Sequence, residues 1–234
     1  AGDERSGLLA AAAVATNPVI FLHAIWPMSD VPAAACWAGG WYFATKNTKG
    51  GAVTSGVLVA LASLIRPNLM PLAVVPGALI LFMDWRPSTW QWRHASLFVA
   101  AASIGPLTAA AFQAVLFGGP LQSGYDGWQS FFSVANVLPN LRTYPGMFKE
   151  VHGWWPIVGL LCFVVFARQQ TPRRMVAAAV TMAMLVVLLY LPYQPYDHWA
   201  YLRFFFPATV ALTVLTSVGA WAAFDFVRTI RGGR

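Results

Sequence analysis

Charge is what this chain has least of. Only 10% of its 234 residues are charged, while 58% are hydrophobic. Soluble globular domains carry roughly 25% charged residues, so an ordinary soluble domain is excluded. Thiols are also scarce. The two cysteines, Cys36 and Cys162, both lie inside apolar runs, which argues against a disulfide framework or a thiolate metal site. Acidic residues number 8 against 15 basic ones, for a net charge of +7. The basic residues gather on no single patch, however, and fall at the ends of apolar runs, so no nucleic-acid partner is expected. There is no Gly-rich phosphate loop after a strand, no HExxH and no GxSxG. No internal repeat and no low-complexity segment occurs. The chain opens AGDERSG without Met, and no basic n-region precedes the first apolar run, which is therefore not a signal peptide in form. A processed chain or a piece of a longer one is expected.

Apolar runs fill the rest. Eight can be read, at 7–25, 31–45, 51–65, 69–83, 95–117, 154–167, 175–191 and 204–227, with an outer loop at 118–153. A spanning helix needs about 20 residues, so the second, third and fourth runs are short. The expected fold is all-α: a single polytopic membrane helix bundle over residues 1–234, with about eight transmembrane segments. Gly118, Gly119 and Pro120 break the fifth run. Trp128, Phe131, Phe132, Ala135 and Leu138 then recur at helical spacing, which predicts a short interfacial helix in the outer loop.

Orientation follows from the gaps. With the N-terminus inside, Arg5, Lys46, Lys49, Arg86, Arg93, Arg168, Arg173, Arg174, Arg228, Arg231 and Arg234 are cytoplasmic, eleven of the 15 basic residues. Short cytoplasmic loops retain Lys and Arg. Trp85, Trp90 and Trp92 fall at an inner boundary, and Trp26, Trp154, Trp155 and Trp199 at outer ones, the depth that indole rings favour.

Ionisable groups near membrane depth are costly and default to functional candidates. Asp30 is the only carboxylate between Glu4 and Asp84. It stands at the outer end of two helices, where Ser29 or Asp30 caps a helix whose first turn holds Pro32; Ser29 alone could cap, and a site role for Asp30 is compatible with capping. His23, one turn before a helix end, reads as a packed, hydrogen-bonded side chain or as a site residue. Arg66, followed by Pro67, breaks the orientation rule. It needs a carboxylate, headgroups or an anionic ligand, and its planar fork suits phosphate. The strip from Tyr193 to Arg203, with Asp197, His198 and Tyr201, is either a sugar- or headgroup-binding surface or an interfacial belt with an Asp197–Arg203 pair. Tyr125, Asp126, Arg142, Tyr144, Lys149, Glu150 and His152 form a loop set that either guides an acceptor or is simply solvated. Asp30, Asp197 and His198 are the residues available to a divalent cation, though no ligand spacing supports one. Asp30 and Arg66 are expected near water, so that substituting them leaves folding intact.

Asn17-Pro18, Ser29-Asp30-Val31-Pro32, the run Gly56–Pro67 ending in Arg66-Pro67, and Arg203-Phe204-Phe205-Phe206-Pro207 resemble, in that order, the C-type glycosyltransferases. The resemblance covers about Asn17 to Trp221. It is closest to the polyprenol-phosphate-sugar-dependent group that includes protein mannosyltransferases and aminoarabinose lipid A transferases. It implies a multi-pass protein of the plasma (inner) membrane, active on the extracytoplasmic face of the cell envelope. Such a protein moves a sugar from a polyprenyl-phosphate carrier to an acceptor glycan, lipid or protein. By position, Arg66 and Arg203 would face the carrier phosphate and Asp30 the donor sugar or acceptor. His23, Tyr201, Asp197 and His198 would complete the substrate-binding set. One departure stands out. The family carries its main catalytic carboxylate in the first outer loop, and nothing acidic on the outer side precedes Asp30. The chain therefore looks as if it lacks the family's first helices, and alone is expected to be inactive.

Two other classes remain open. A secondary transporter would place ionisable groups near the midplane and show paired repeats with broken helices; here the charges lie at the rim. A non-catalytic membrane assembly subunit would show no dependence on Asp30, Arg66 or Arg203.

Overall fold

The computed structural model describes residues 4–26, 28–82, 89–122, 131–169 and 171–232. Among these there is no strand, and one isolated antiparallel bridge joins Phe132 to Tyr193. The helices are α1 (Glu4–Ala15), α2 (Pro18–Ile25), α3 (Asp30–Ala44), α4 (Lys49–Ile65), α5 (Val74–Leu81), α6 (Thr89–Phe117), α7 (Val137–His152), α8 (Trp155–Cys162), α9 (Arg173–Tyr190) and α10 (Phe206–Gly232). Short 3-10 turns at Pro67–Ala73 and Trp199–Phe205 lead into α5 and α10. Cys36 and Cys162 are free thiols.

Among the described residues, three helical stretches are long and apolar enough to cross a membrane: Gln91–Phe117, Arg173–Tyr190 and Trp199–Arg231. Two bent pairs raise the number to five if each is one span. Eight separate crossings are therefore not what the chain builds. At about 1.5 Å per residue, the 15 residues of α3 reach about 22 Å, short of a hydrocarbon core of about 30 Å. The expected fourth span begins instead as a 3-10 turn containing Pro71, and its α-helical part is only 8 residues long. Pro71 has no N–H to bond the Pro67 carbonyl four residues back, so an α-helix cannot run regularly from Pro67 through this turn.

The first apolar run is bent by 59° between α1 and α2. The sequence Asn17-Pro18 makes the break. Asn17 Oδ1 accepts from the backbone N–H of Val19 and Ile20 at 3.1 and 3.2 Å, and Pro18 occupies the first turn. The expected loop 118–153 holds 16-residue α7, which meets the following helix at 89° through Gly153, whose φ is +60°. The interfacial helix expected from Trp128 lies partly outside the described residues. Within them, helix proper starts only at Val137, so Leu138 opens a helix rather than closing one.

Helix pairing follows small residues. In the α3–α4 hairpin the Ser55 hydroxyl donates to the Gly40 carbonyl at 2.7 Å, and Arg66 reaches Ser29 and Asp30. Partner numbers fall as position rises, so the helices are antiparallel. Asp30 and Arg66 share one end, and Lys46 and Lys49 stand at the other. That separation survives, whereas the inner and outer sides read for the eleven basic residues rested on eight crossings.

Helix α4 then packs against α6 with almost no space. A Cβ on Gly56 would lie 2.6 Å from the Phe98 carbonyl oxygen, and one on Gly105 would overlap the backbone of Ala60. Small residues let backbones approach where lipid provides no hydrophobic drive between helices. Gly105→Leu is accordingly expected to push α4 off α6 and to cost at least about 1–3 kcal/mol, the usual penalty of overpacking. Thermal unfolding in detergent, followed by tryptophan fluorescence, measures it. Gly50→Leu is the control, because a Cβ there meets nothing within 4 Å. Equal midpoints for the two variants would exclude this crossing.

Helix α10 runs through the middle, in contact with α1, α3, α8 and α9. Trp37, Leu72, Met182, Val186 and Tyr190 are fully buried, as is Phe206 at the start of α10.

Candidate functional site

Proline sets the local shape at two of the three charged positions. Pro67 disfavours helical backbone at the residue before it. Arg66 accordingly leaves α4 with φ −139° and ψ 83°, while its N–H still closes the helix on Ala62. Its side chain is thus aimed across the hairpin. Pro32 sits in the first turn of α3, where a missing N–H costs nothing. Asp30 opens that helix, 5% exposed.

The capping expected of Ser29 does not occur; its side chain makes no cap hydrogen bond. Instead the Ser29 hydroxyl accepts from Arg66 Nε at 3.1 Å, and Arg66 Nη2 donates to Asp30 Oδ1. Arg203 arrives from the turn Trp199–Phe205. Its Nε lies 3.8 Å from Asp30 Oδ2, and its Nη1 is 3.4 Å from Met28 Sδ. The expected Asp197–Arg203 pair is replaced by this one. Neither Asp30 Oδ2 nor Arg203 Nε has a hydrogen-bond partner, though both are buried. Two guanidiniums thus share one carboxylate, leaving a net charge of +1. Arg66 is committed at two atoms, and Arg203 is under-used.

Phe204 lies under both cations, 5.5 Å from the Arg66 guanidinium carbon and 5.2 Å from that of Arg203. Such contacts stabilise a desolvated cation. Tyr201 holds Arg203 from another side at 5.4 Å and stacks on Tyr196 at 3.7 Å. Tyr190 stacks on Phe204 at 5.0 Å, and its hydroxyl accepts from Asn68 Nδ2 at 2.7 Å. Burial, with Tyr196 alongside, pushes the Tyr193 hydroxyl above its ordinary pKa.

The remaining candidates fall elsewhere. His23 is fully buried; its Nδ1 donates to the Val19 carbonyl at 2.7 Å, and its ring meets the edges of Trp26 and Phe206. The packed, hydrogen-bonded reading describes its Nδ1 side, while its buried Nε2 has no hydrogen-bond partner among the described residues. Asp197 and His198 are exposed. His198 Nδ1 accepts from the Ala200 N–H at 3.2 Å and so caps the turn that carries Arg203. Of the loop set, Tyr125 and Asp126 lie outside the described residues. The others are on α7 rather than in a solvated loop, and His152 is buried, with Nδ1 3.3 Å from Asn17 Nδ2. No group of three or more His, Cys, Asp or Glu placed to hold a metal ion is found among the described residues.

Three contributors escape a reading by charge. Asn68 and Tyr190 support Phe204. Asn140, fully buried, donates to the carbonyls of Leu191 and Tyr193 at 2.9 and 2.7 Å and fastens the end of α9 beneath the aromatic strip. Its signal is the helical stripe Asn140, Tyr144, Met147 and Val151, which puts one polar residue on a buried face.

No protein-family model matches the chain, and neither the curated proteins nor the solved structures provide a match.

Proposed function

We propose that the chain belongs to a membrane glycosyltransferase that moves a sugar from a polyprenyl-phosphate carrier to an acceptor on the extracytoplasmic face. The observation that supports it best is the convergence of Arg66 and Arg203 on Asp30. These are the three charged positions of three separate motifs, and the two guanidiniums lie over one aromatic ring. The +1 cluster suits a lipid phosphate ester, which lies at the bilayer surface because its tail is in hydrocarbon. Arg203, whose Nε makes no hydrogen bond, takes the phosphate, and Arg66 holds Asp30 in place. The half-buried Tyr193, Tyr196 and Tyr201 nearby are aromatic groups suited to a sugar ring.

In the transfer step the acceptor hydroxyl loses its proton to a carboxylate. Its oxygen forms a bond to the anomeric carbon as the bond from that carbon to the phosphate oxygen breaks. The electron pair leaves on the phosphate, and arginines stabilise the charge that develops. Asp30 Oδ2 is the carboxylate oxygen facing Arg203 and therefore the one to receive a hydroxyl beside the phosphate.

Saturable binding of a radiolabelled polyprenyl-phosphate sugar to the purified chain, lost in Arg203→Gln, is the expected result. Absence of binding would overturn the proposal. A second reading rests on the same ion pair. If Arg66–Asp30 only fastens the α3–α4 hairpin of an assembly subunit, substitutions there change stability and no carrier binds.

A further inference from the structure

The last turn of α7 is tied to the bend between α1 and α2 by a buried contact that works in only one protonation state. Asn17 uses its Oδ1 to accept from the backbone N–H groups of Val19 and Ile20, at 3.1 and 3.2 Å. Two donors on one atom settle which end of the amide is the oxygen. The other end is therefore the amine, Nδ2, and it stands 3.3 Å from His152 Nδ1. An amide N–H needs an acceptor, so Nδ1 holds a lone pair and the imidazole is neutral. Asn17 is 4% and His152 6% exposed, so neither turns to water instead. A proton on Nδ1 would set donor against donor, with no counter-charge at hand. Around the ring stand Phe148, Trp155 and Pro156 and, from α10, Thr209, Thr213 and Thr216, all uncharged. On α7 itself Lys149, one turn back with its ammonium over the Trp154 ring at 4.9 Å, adds positive charge. Glu150 is exposed and two positions away, where helical side chains do not face each other. On the Asn17 side, Glu4 and Arg5 stand at the opposite end of α1, and His23 bonds the Val19 carbonyl. The helix dipole favours a cation at the end of α7, but it supplies no acceptor for the new N–H.

We infer that His152 and Asn17 form a proton-sensitive latch between α7 and the α1–α2 bend, closed while His152 is neutral and released when it takes up a proton. Both sides of the latch lead to the Asp30 cluster. Helix α7 holds the end of α9 through Asn140. Beyond α2 come Met28, whose sulfur meets Arg203, and Asp30 itself. Both α2 and α7 also pack on the turn Trp199–Phe205 that carries Arg203. Release therefore loosens two supports of that turn. The latch does not depend on the glycosyltransferase reading. An ordinary imidazole takes up its proton near pH 6.5. The folded chain resists that proton, so the stability from the latch is full above about pH 6.5 and declines as the pH falls.

Thermal unfolding of the purified chain in detergent at about pH 8 and about pH 5, the range over which an imidazole titrates, is the test, beside H152N and N17D. In H152N an amide oxygen stands in for Nδ1 and does not titrate. The unsubstituted chain's midpoint is expected to fall about 2–4 °C further than that of H152N, the scale of one lost hydrogen bond in a chain of this size. N17D keeps the helix cap but presents a carboxylate to Nδ1, so acid should strengthen its contact and reverse the trend. Spin labels on cysteines placed at exposed Phe21 and Glu150, with Cys36 and Cys162 replaced, should move apart at the lower pH, and should not do so with H152N added. The same pH dependence with and without H152N would overturn the latch, as would label distances that do not change with pH. If H152N does not fold, N17D decides alone: a response like that of the unsubstituted chain would rule the latch out.

Discussion

Arg66→Ala is expected to lower the unfolding free energy by about 3–5 kcal/mol, the cost of leaving a buried carboxylate without its partner. Asp30 has a side chain 4% exposed, and Arg203, at 3.8 Å and without a hydrogen bond to it, replaces little of what is lost. Folding is therefore sensitive here, contrary to the expectation that both residues stand near water. Arg66→Lys should also destabilise, because one ammonium cannot reproduce a fork that serves Ser29 and Asp30 together. Denaturant titration of the detergent-solubilised chain reads these losses. The double variant Arg66→Ala/Asp30→Ala should lose less than the two single losses added, since no charge is then left unpaired. Simple additivity would mean that the pair is not coupled.

Asp30→Asn separates binding from chemistry. The amide keeps the shape and one oxygen acceptor for Arg66 but removes the negative charge between the guanidiniums. Carrier binding is expected to persist or tighten, because the phosphate no longer competes with a carboxylate for Arg203. In a full-length context, with the family's first helices supplied, sugar transfer should fall about a hundredfold or more, the scale seen when one charge-stabilising group is removed. Isotope-labelled transfer assays beside carrier-binding measurements decide it. Parallel loss of both would assign Asp30 to binding, and full transfer would remove it from the reaction.

Much of this site was legible. Arg66 stood out because a cation beside an apolar run needs a partner, and Asp30 because no other carboxylate stands between Glu4 and Asp84. Length and periodicity also located the long helices well: the run 175–191 is α9, Arg173–Tyr190. Span number was not legible in the same way. Apolarity marks where a helix can lie, but not whether Asn17-Pro18 or Gly153 bends two helices into one interrupted run. The capping role of Ser29 failed for a related reason. A hydroxyl at a helix start has a local use, and a distant guanidinium competes for it only once α3 and α4 have folded together.

The amino-acid sequence by itself determined the all-helical, apolar character of the chain, through its shortage of charge and the length of its hydrophobic runs. It also marked Asp30, Arg66 and Arg203 as the charges that need explanation. Only the tertiary structure decided their partners. Asp197 lies closer in sequence to Arg203 than Asp30 does, yet it precedes the capping residue His198 and stays exposed. With three residues per turn in a 3-10 segment, Leu202 and Phe205 share one side, Tyr201 and Phe204 a second, and Arg203 is turned to a third. That third side faces Asp30, because α3, α4 and the start of α10 pack together there. A pairing of this kind is a property of packed helices and is written in no local pattern.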